Sequence, residues 1–168
     1  EFFLHSVFVS ENSQDANRLL SDLYPKYNGL LNYPLTPGNQ NNINDLLSDL
    51  SKFEQAFIFL ATPHEFSHDI AISLASDKVT VLDLSGGFRL QSAELYDQYY
   101  GFSHQYPDLL PDIPYGLPEW KADQLPGKNI ISLPGCYPTA SQLAIKPLVK
   151  QQLLTDSCIP VINAVSGV

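Results

Sequence analysis

The sequence is poor in the residues that mark several common classes of protein. It contains no methionine, one tryptophan and two cysteines, and its nine lysines and arginines are outnumbered by eighteen aspartates and glutamates. A formal charge of -9 argues against a nucleic-acid partner, because phosphates require a basic patch. No apolar run approaches the ~20 residues that a membrane span needs. We therefore predict neither a nucleic-acid partner nor a membrane partner.

The chain also shows no recognisable export signal. Residues 1–4 carry no basic charge ahead of an apolar stretch, so they do not resemble a signal peptide. The two cysteines, Cys136 and Cys158, have neither a CxxC nor a zinc-type spacing. Without an export signal a disulfide is the less favoured use of these thiols, and we predict a reducing, cytoplasmic location.

The hydrophobic pattern predicts an α/β fold. Apolar, strand-like segments at residues 4–9, 56–61, 79–84, 129–133 and 159–164 alternate with helical patterns at residues 13–20, 43–53, 65–75 and 137–152. Ser13 is a candidate N-cap of the first helix, residues 25–42 read as loop, and residues 91–128 are irregular. The run at residues 56–61 suits a strand buried on both faces. This alternation predicts a parallel sheet built from βαβ units.

Small and polar residues follow the predicted strands. Ser10 follows the first strand, Thr62 the second, Ser85 the third and Cys136 the fourth. In open parallel sheets, ligands bind beyond the carboxyl ends of the strands. We therefore predict a binding site at this edge of the sheet.

Cys136 lies where a strand passes into a helix. Pro138 and Thr139 suit the first helical turn, and Gly135 allows a substrate to approach the backbone closely. A thiol at this position faces free N–H groups and the positive end of the helix dipole, which stabilise a thiolate nucleophile. Ordinary packing of a buried cysteine is the alternative that position alone leaves open. Cys158 has none of these features, and we predict that it is unreactive.

Several segments resemble the N-acetyl-gamma-glutamyl-phosphate reductase family. ISLPGCYPTA at residues 131–140, followed by AIKP at residues 144–147, is similar to the active-site signature of that family. Further similar segments follow the same order in the family: LDLSGGFRL at residues 82–90, YYGFSH at 99–104, YGLPE at 115–119 and NAVSGV at 163–168. The resemblance runs over nearly the whole chain.

The resemblance implies a Rossmann-type NADP-binding domain over residues 1–135, lacking its first βα unit, and the beginning of an α/β catalytic domain over residues 136–168. It implies NADPH-dependent reduction of a small-molecule substrate, N-acetyl-L-glutamyl 5-phosphate, to the 5-semialdehyde in arginine biosynthesis. The reaction would release phosphate and pass through a thioester on Cys136. We expect the chain to be a fragment, inactive alone, of an enzyme that forms a homo-oligomer.

The resemblance also implies roles for individual residues. Arg89 is a candidate for binding the substrate phosphate or carboxylate, with a surface ion pair as the alternative. The residues predicted to bind NADP are Ser10, Thr62, Ser85, Ser166 and Gly167. The preference for NADP over NAD rests on the resemblance, because the polar Ser10 is followed directly by an acidic residue. The chain has no GxxGxxG, and its histidines match no catalytic histidine of the family.

Three other interpretations remain open. A related acyl-phosphate reductase, of the aspartate-semialdehyde dehydrogenase or lysine-pathway type, would share the chemistry but have a different cysteine motif. His64, Glu65 and His68 form an H-E-x-x-H pattern, which in zinc hydrolases supplies two ligands and a base, but no third ligand follows and we predict no metal. A non-catalytic binding module would need no reactive thiol, so Cys136 would then behave like Cys158.

Overall fold

The computed structural model describes residues 2–154 and 157–165, and the chain divides into two compact units at residues 54 and 55. Each unit is described by itself. No helix within the described residues combines the length and the apolar character needed to cross a membrane.

The first unit contains a pair of short parallel strands. Strand β1 (Val7–Val9) lies beside β2 (Leu35–Pro37), with Val7 opposite Leu35. Helix α1 (Leu20–Leu23) and a 3-10 turn (Pro25–Tyr27) lie between the two strands in the sequence, and helix α2 (Gln40–Leu50) follows β2. The Oδ1 atom of Asn39 accepts a hydrogen bond of 2.9 Å from the N–H of Asn42 and so caps α2. The unit is therefore a small βαβ arrangement that is followed by α2.

Two details of this unit differ from the prediction. The prediction of a helix that begins at Ser13 is wrong. Asn17 has a φ of 66° and lies in the left-handed region, which an α-helix does not tolerate. The N–H of Asn17 instead bonds the carbonyl of Leu35, 2.8 Å away. Strand β2 falls within the predicted loop, since three residues ending in proline give no periodic pattern.

The second unit is built on three parallel strands. Strand β4 (Val79–Asp83) lies between β3 (Ala56–Leu60) and β5 (Ile130–Ser132), with Leu60 opposite Asp83 and Asp83 opposite Ser132. Helix α3 (His64–Leu74) connects β3 to β4 and packs against both. These parallel strands and crossover helices confirm the predicted α/β class.

Strand β3 is not buried on both faces, which corrects the prediction for residues 56–61. Exposure alternates along it, and Phe57 and Phe59 remain 44% and 65% exposed. Helix α3 packs on this strand, and β3 is an edge strand of the described sheet. A continuous apolar run cannot reveal which face of its strand a helix covers.

A long connection joins β4 to β5. It contains helix α4 (Glu94–Tyr99), a 3-10 turn (Pro107–Asp112), helix α5 (Pro118–Lys121) and a second 3-10 turn (Ala122–Gln124). The connection returns to the sheet at Gly116, whose N–H bonds the carbonyl of Ser132 at 2.7 Å. A Cβ atom on Gly116 would lie 2.6 Å from a methyl of Leu133 and 2.7 Å from one of Ile131. The close approach of the Gly116 backbone to these two side chains therefore favours glycine.

Helix α6 (Cys136–Lys150) follows β5 directly. The Nε2 atom of Gln142 donates to the Tyr115 hydroxyl over 3.0 Å, and the Lys146 ammonium donates to the carbonyl of Glu119 and lies 5.2 Å from the centre of the Trp120 ring. These contacts bring together two of the segments that resemble the reductase family. The domain boundary between residues 135 and 136 stays a prediction.

The strand expected at residues 159–164 is wrong. These residues have no regular secondary structure, and Ile159 and Val161 are 86% and 84% exposed. A strand requires a hydrogen-bonding neighbour. Within the described ranges no backbone hydrogen bond joins this stretch to another strand.

Candidate functional site

Three connections leave the carboxyl ends of β3, β4 and β5 at one edge of the sheet. They carry Thr62, Ser85 and Cys136 in turn. Because parallel strands end at the same edge, the sheet alone places these residues on neighbouring connections. Two hydrogen bonds tie the connections together: the N–H of Leu84 bonds the carbonyl of Leu60 at 3.0 Å, and the N–H of Leu133 bonds the carbonyl of Asp83 at 2.7 Å.

The connection after β4, residues 83–87, is held by side chains and is here called the glycine loop. The Oδ1 atom of Asp83 accepts from the N–H of Ser85 at 2.9 Å, and the Ser85 hydroxyl accepts from the N–H of Gly87, also at 2.9 Å. Asp83 is fully buried and Ser85 is 4% exposed. Every backbone N–H from Leu84 to Gly87 has a hydrogen-bond partner, and these bonds hold the loop in one conformation.

The remaining N–H of the glycine loop, that of Gly86, is bound by His64. The Nδ1 atom of His64, the first residue of α3, lies 2.7 Å from the Gly86 nitrogen. The Tyr100 ring covers Gly86 so closely that a Cβ atom there would overlap it. The rings of His64 and Tyr100 meet edge to face, with centres 5.0 Å apart.

Arg89 joins the ends of β4 and β5. Its Nε atom donates to the carbonyl of Leu133 at 2.9 Å, and its Nη2 atom donates to the carbonyl of Leu84 at 2.7 Å. Its Nη1 atom lies 3.3 Å from the point that a Cβ on Gly135 would occupy. Glycine at position 135 therefore lets the guanidinium reach the backbone beside Cys136. Among the described residues Arg89 forms no ion pair, so the surface ion pair weighed as an alternative is absent there.

Cys136 is an exposed, free thiol at the first residue of the 15-residue helix α6. Gly135, the N-cap, has an extended backbone (φ -71°, ψ 167°) and contributes no side chain to the helix end. Pro138 carries no N–H, and the N–H groups of Cys136 and Tyr137 have no partner inside the helix. The thiol thus lies at a helix end whose first N–H groups have no partner among the described residues, and the Arg89 guanidinium lies close to the preceding Gly135.

Two buried polar atoms lie beneath this edge. Within the part of the chain that the structure describes, Oδ2 of Asp83 and Oγ of Ser132 have no hydrogen-bond partner. The two residues are opposite one another at the ends of β4 and β5, and both are fully buried. A buried polar atom without a partner is costly, and such atoms concentrate where function requires them.

Comparison with known proteins identifies the family. Residues 1–127 match the family model described as the semialdehyde dehydrogenase NAD binding domain. The chain belongs to this family. Its parallel sheet and the glycine loop at the carboxyl edge of β4 thus form part of a nicotinamide-cofactor domain.

Curated relatives extend the similarity past residue 127. The chain is 50% identical over 162 residues to an N-acetyl-gamma-glutamyl-phosphate reductase of Yersinia pestis, covering 95% of the chain and 46% of that relative. It is 48% identical over 165 residues to the N-acetyl-gamma-glutamyl-phosphate reductase of Escherichia coli (strain K12), which covers 97% of the chain and 47% of that relative. It is 45% identical over 168 residues to that of Pasteurella multocida (strain Pm70), which covers 100% of the chain and 48% of that relative. The chain spans about half the length of the curated relatives it matches. The predicted family resemblance is confirmed.

The carboxyl edge of this semialdehyde dehydrogenase domain fits a nicotinamide cofactor. The carbonyl groups of Ser85 and Gly86 accept no hydrogen bond from the described residues. The glycine loop that carries them is fixed by His64 and Arg89. A rigid backbone with open acceptors is suited to bind the carboxamide of a nicotinamide ring.

The five predicted cofactor residues lie in different parts of the chain. Ser85 is built into the glycine loop, and the Thr62 hydroxyl lies 2.6 Å from that of Ser67, so both side chains already have protein partners. Ser10 is exposed and lies in the first unit, after β1. Ser166 and Gly167 lie outside the described residues. The cofactor role of all five stays a prediction.

The sequence analysis missed three residues of this site. Asp83, Gly86 and Tyr100 shape the glycine loop, and His64 was considered only as part of the H-E-x-x-H pattern. Asp83 followed by Ser85 could have suggested a side-chain turn at a strand end, since aspartate often bonds the N–H two residues on. The contact of Tyr100 with Gly86 joins distant segments, and no local pattern predicts it.

The second histidine of the H-E-x-x-H pattern is a core residue. His68 is 2% exposed; its Nε2 atom accepts from the N–H of Gln105 at 3.1 Å, and its Nδ1 atom lies 2.9 Å from a carboxylate oxygen of Asp69. With both ring nitrogens engaged, His68 has no lone pair left for zinc. Among the described residues no group of three or more potential ligands could hold a metal ion.

His104 packs against His68 in the same aromatic cluster. The two ring centres are 4.5 Å apart, and the Nε2 atom of His104 bonds the carbonyl of Gly87 at 3.1 Å. Burial lowers the pKa of His104 below its ordinary value of 6.5, and His68 lowers it further, while the bond to Gly87 acts in the opposite direction. The cluster therefore holds His104 neutral beside the glycine loop.

We expect acidification to destabilise the fold through His104. Because its pKa is lower in the folded than in the unfolded chain, the unfolded chain binds the extra proton first, and stability rises with pH. The contribution is complete above the ordinary pKa of 6.5 and is lost as pH falls through the folded pKa. Urea unfolding at pH about 7.5 and about 5 should show the loss.

His104→Gln is the matched control for this effect. The glutamine amide can still donate to the carbonyl of Gly87 but does not titrate. The variant should therefore lose less stability than the wild type between the two pH values. Equal losses in the two proteins would show that His104 is not the responsible group.

Proposed function

We propose that the chain supplies the nucleophile and much of the cofactor domain of an N-acetyl-gamma-glutamyl-phosphate reductase. The reaction is the reduction of N-acetyl-L-glutamyl 5-phosphate to N-acetyl-L-glutamate 5-semialdehyde, with release of phosphate, in arginine biosynthesis. The observation that carries the proposal is the exposed thiol of Cys136 at the N-terminus of α6, beside a cofactor domain. The names of relatives 45 to 50% identical over the chain support the substrate.

The first chemical step takes place at Cys136. Its thiolate attacks the acyl carbon, and a carbon–sulfur bond forms as the bond from that carbon to the phosphate oxygen breaks. The phosphate leaves with the electron pair of that bond, which gives a thioester on Cys136. The unpaired N–H groups of Cys136 and Tyr137 are suited to stabilise negative charge at this point.

Arg89 is proposed to bind the anionic part of the substrate. Two of its N–H groups are fixed on the carbonyls of Leu84 and Leu133, which orients the guanidinium. The Nη1 donors face the backbone at Gly135, next to the nucleophile. A guanidinium held in this way needs little reorganisation to bind a phosphate or carboxylate.

The nicotinamide cofactor supplies the hydride that converts the thioester to the aldehyde. The carbon–sulfur bond then breaks and the thiolate of Cys136 is regenerated. The phosphate released in the first step takes up one proton from solvent. The chain's own part in this step is to hold the cofactor: Thr62, Ser85, Ser10, Ser166 and Gly167 are the proposed cofactor-binding residues. We propose NADP rather than NAD as the cofactor, a homo-oligomer as the assembly and the cytoplasm as the location.

The test is an assay of the full-length protein. N-acetyl-L-glutamyl 5-phosphate should support oxidation of NADPH with an equal amount of phosphate released. L-aspartyl 4-phosphate and NADH serve as comparisons, and we expect each to lower kcat/KM by roughly 100-fold, because a site built for polar groups rejects substrates lacking them. Faster turnover of the aspartyl compound would favour a related acyl-phosphate reductase. Absence of NADPH oxidation with either substrate would contradict the proposal.

A further inference from the structure

The glycine loop is fixed at Gly86 by a residue that the proposed chemistry does not use. We propose that His64 is a positioning residue of the cofactor site: its Nδ1 atom holds the N–H of Gly86 and thereby sets the loop on which the nicotinamide rests. This inference rests on the proposed function. It assigns to the H-E-x-x-H segment a role in cofactor binding instead of metal binding.

The pattern of hydrogen bonds singles out this contact. The N–H groups of Ser85 and Gly87 bond side chains of the loop itself, and that of Leu84 continues the sheet to Leu60. The N–H of Gly86 is the one held by a side chain from another element, over a short distance of 2.7 Å. Gly86 is buried, so loss of this acceptor would leave its N–H without a partner.

Tyr100 completes the contact from a third segment. It is the C-cap of α4, and its ring lies against Gly86, where no larger residue fits. The same ring meets the ring of His64 edge to face. His64 and Tyr100 thus both contact Gly86 and contact each other, and we call these two residues the Gly86 clamp. The clamp restrains the loop that carries the carbonyls of Ser85 and Gly86.

The clamp separates two chemical functions of the imidazole. Because Nδ1 accepts a hydrogen bond, the proton of the neutral ring lies on Nε2. The side chain of His64 is exposed, and no described residue accepts a bond from Nε2. Its Nδ1 therefore acts on the loop, whereas its Nε2 could only act on a ligand. The proposal assigns the effect to Nδ1.

Three substitutions in the full-length protein separate these functions. His64→Asn places an amide oxygen at the position of Nδ1, His64→Gln places an amide at the position of Nε2, and His64→Leu removes both. We expect His64→Asn to keep the Kd for NADPH within about twofold of the wild type, and the other two variants to raise it roughly tenfold, the effect of one hydrogen bond. The KM for the acyl phosphate should not change.

Hydrogen exchange at the Gly86 amide provides a readout independent of the cofactor. The amide should stay protected in His64→Asn and exchange faster in His64→Leu and His64→Gln. The proposal is overturned if His64→Gln binds NADPH like the wild type while His64→Asn binds weakly, since Nε2 would then contact the cofactor directly. Equal NADPH affinity and equal protection in all variants would also overturn it. A wild type that does not bind NADPH contradicts the proposed function together with this inference.

Discussion

Cys136→Ser should abolish acyl-phosphate reduction by the full-length protein, lowering kcat by roughly three orders of magnitude or more. A serine hydroxyl at the first residue of α6 is a weak nucleophile, whereas a thiol is intrinsically a much stronger one. Binding of NADPH should be retained, because the substitution changes one exposed side-chain atom. The measurement is steady-state kinetics with a parallel NADPH titration.

Cys158→Ser is the matched control. Both cysteines are exposed, so solvent access does not distinguish them. Cys158 lies in a stretch without regular structure, away from any helix N-terminus. We expect its substitution to leave kcat within a factor of about two, as for surface positions in general.

Alkylation of the two thiols tests the same prediction without substrate. Iodoacetamide should modify Cys136 at least ~10-fold faster than Cys158 at neutral pH, because reactive cysteines are typically found at helix N-termini and Cys136 is the first residue of α6. Equal rates, together with substantial activity in Cys136→Ser, would contradict a nucleophilic role. The interpretation as a non-catalytic binding module would then be the better account.

Much of the second unit could be predicted from its sequence. The strands at residues 56–61, 79–84 and 129–133 and the helices at residues 65–75 and 137–152 are marked by apolar runs and helical periodicity, and each was found within a few residues. The short helices α4 and α5 lie in the stretch predicted to be irregular. Cys136 was located because its environment is local: a strand end, a glycine and a helix start. These features depend on neighbours in the chain, which a sequence displays directly.

The predictions that failed concern features that depend on contacts between residues far apart in the sequence. The helix expected from Ser13 is replaced by turns because Asn17 pairs with Leu35, and exposure of Phe57 depends on which face of β3 is covered. The Gly86 clamp joins residues 22 and 14 positions from Gly86, and neither His64 nor Tyr100 belongs to a pattern that predicts the contact. Arg89 was recognised as important through family resemblance, but its two backbone partners became visible with the fold.

Tyr96→Ala should lower the free energy of unfolding by about 3–5 kcal/mol, as expected for truncation of a fully buried aromatic residue. The Tyr96 ring is 0% exposed and packs against Tyr100, Phe102 and His104, with ring centres 5.6, 5.4 and 4.5 Å away. Its hydroxyl accepts from the N–H of Leu90 at 2.9 Å and donates to the carbonyl of Leu90 at 3.3 Å. Burial raises the pKa of Tyr96 to about 12, so the hydroxyl stays protonated and keeps both bonds.

Tyr96→Phe separates the ring from the hydroxyl. The ring contacts remain, but the N–H of Leu90 loses its partner, and we expect a loss of about 1–3 kcal/mol. The control is Tyr99→Phe on the same helix, where the side chain is 66% exposed and the change should stay within about 0.5 kcal/mol. Urea unfolding of the three variants gives the comparison, and equal midpoints for Tyr96→Phe and Tyr99→Phe would refute it. Because Leu90 directly follows Arg89, Tyr96→Phe should also weaken substrate binding, which would link the aromatic cluster to the orientation of the guanidinium beside Cys136.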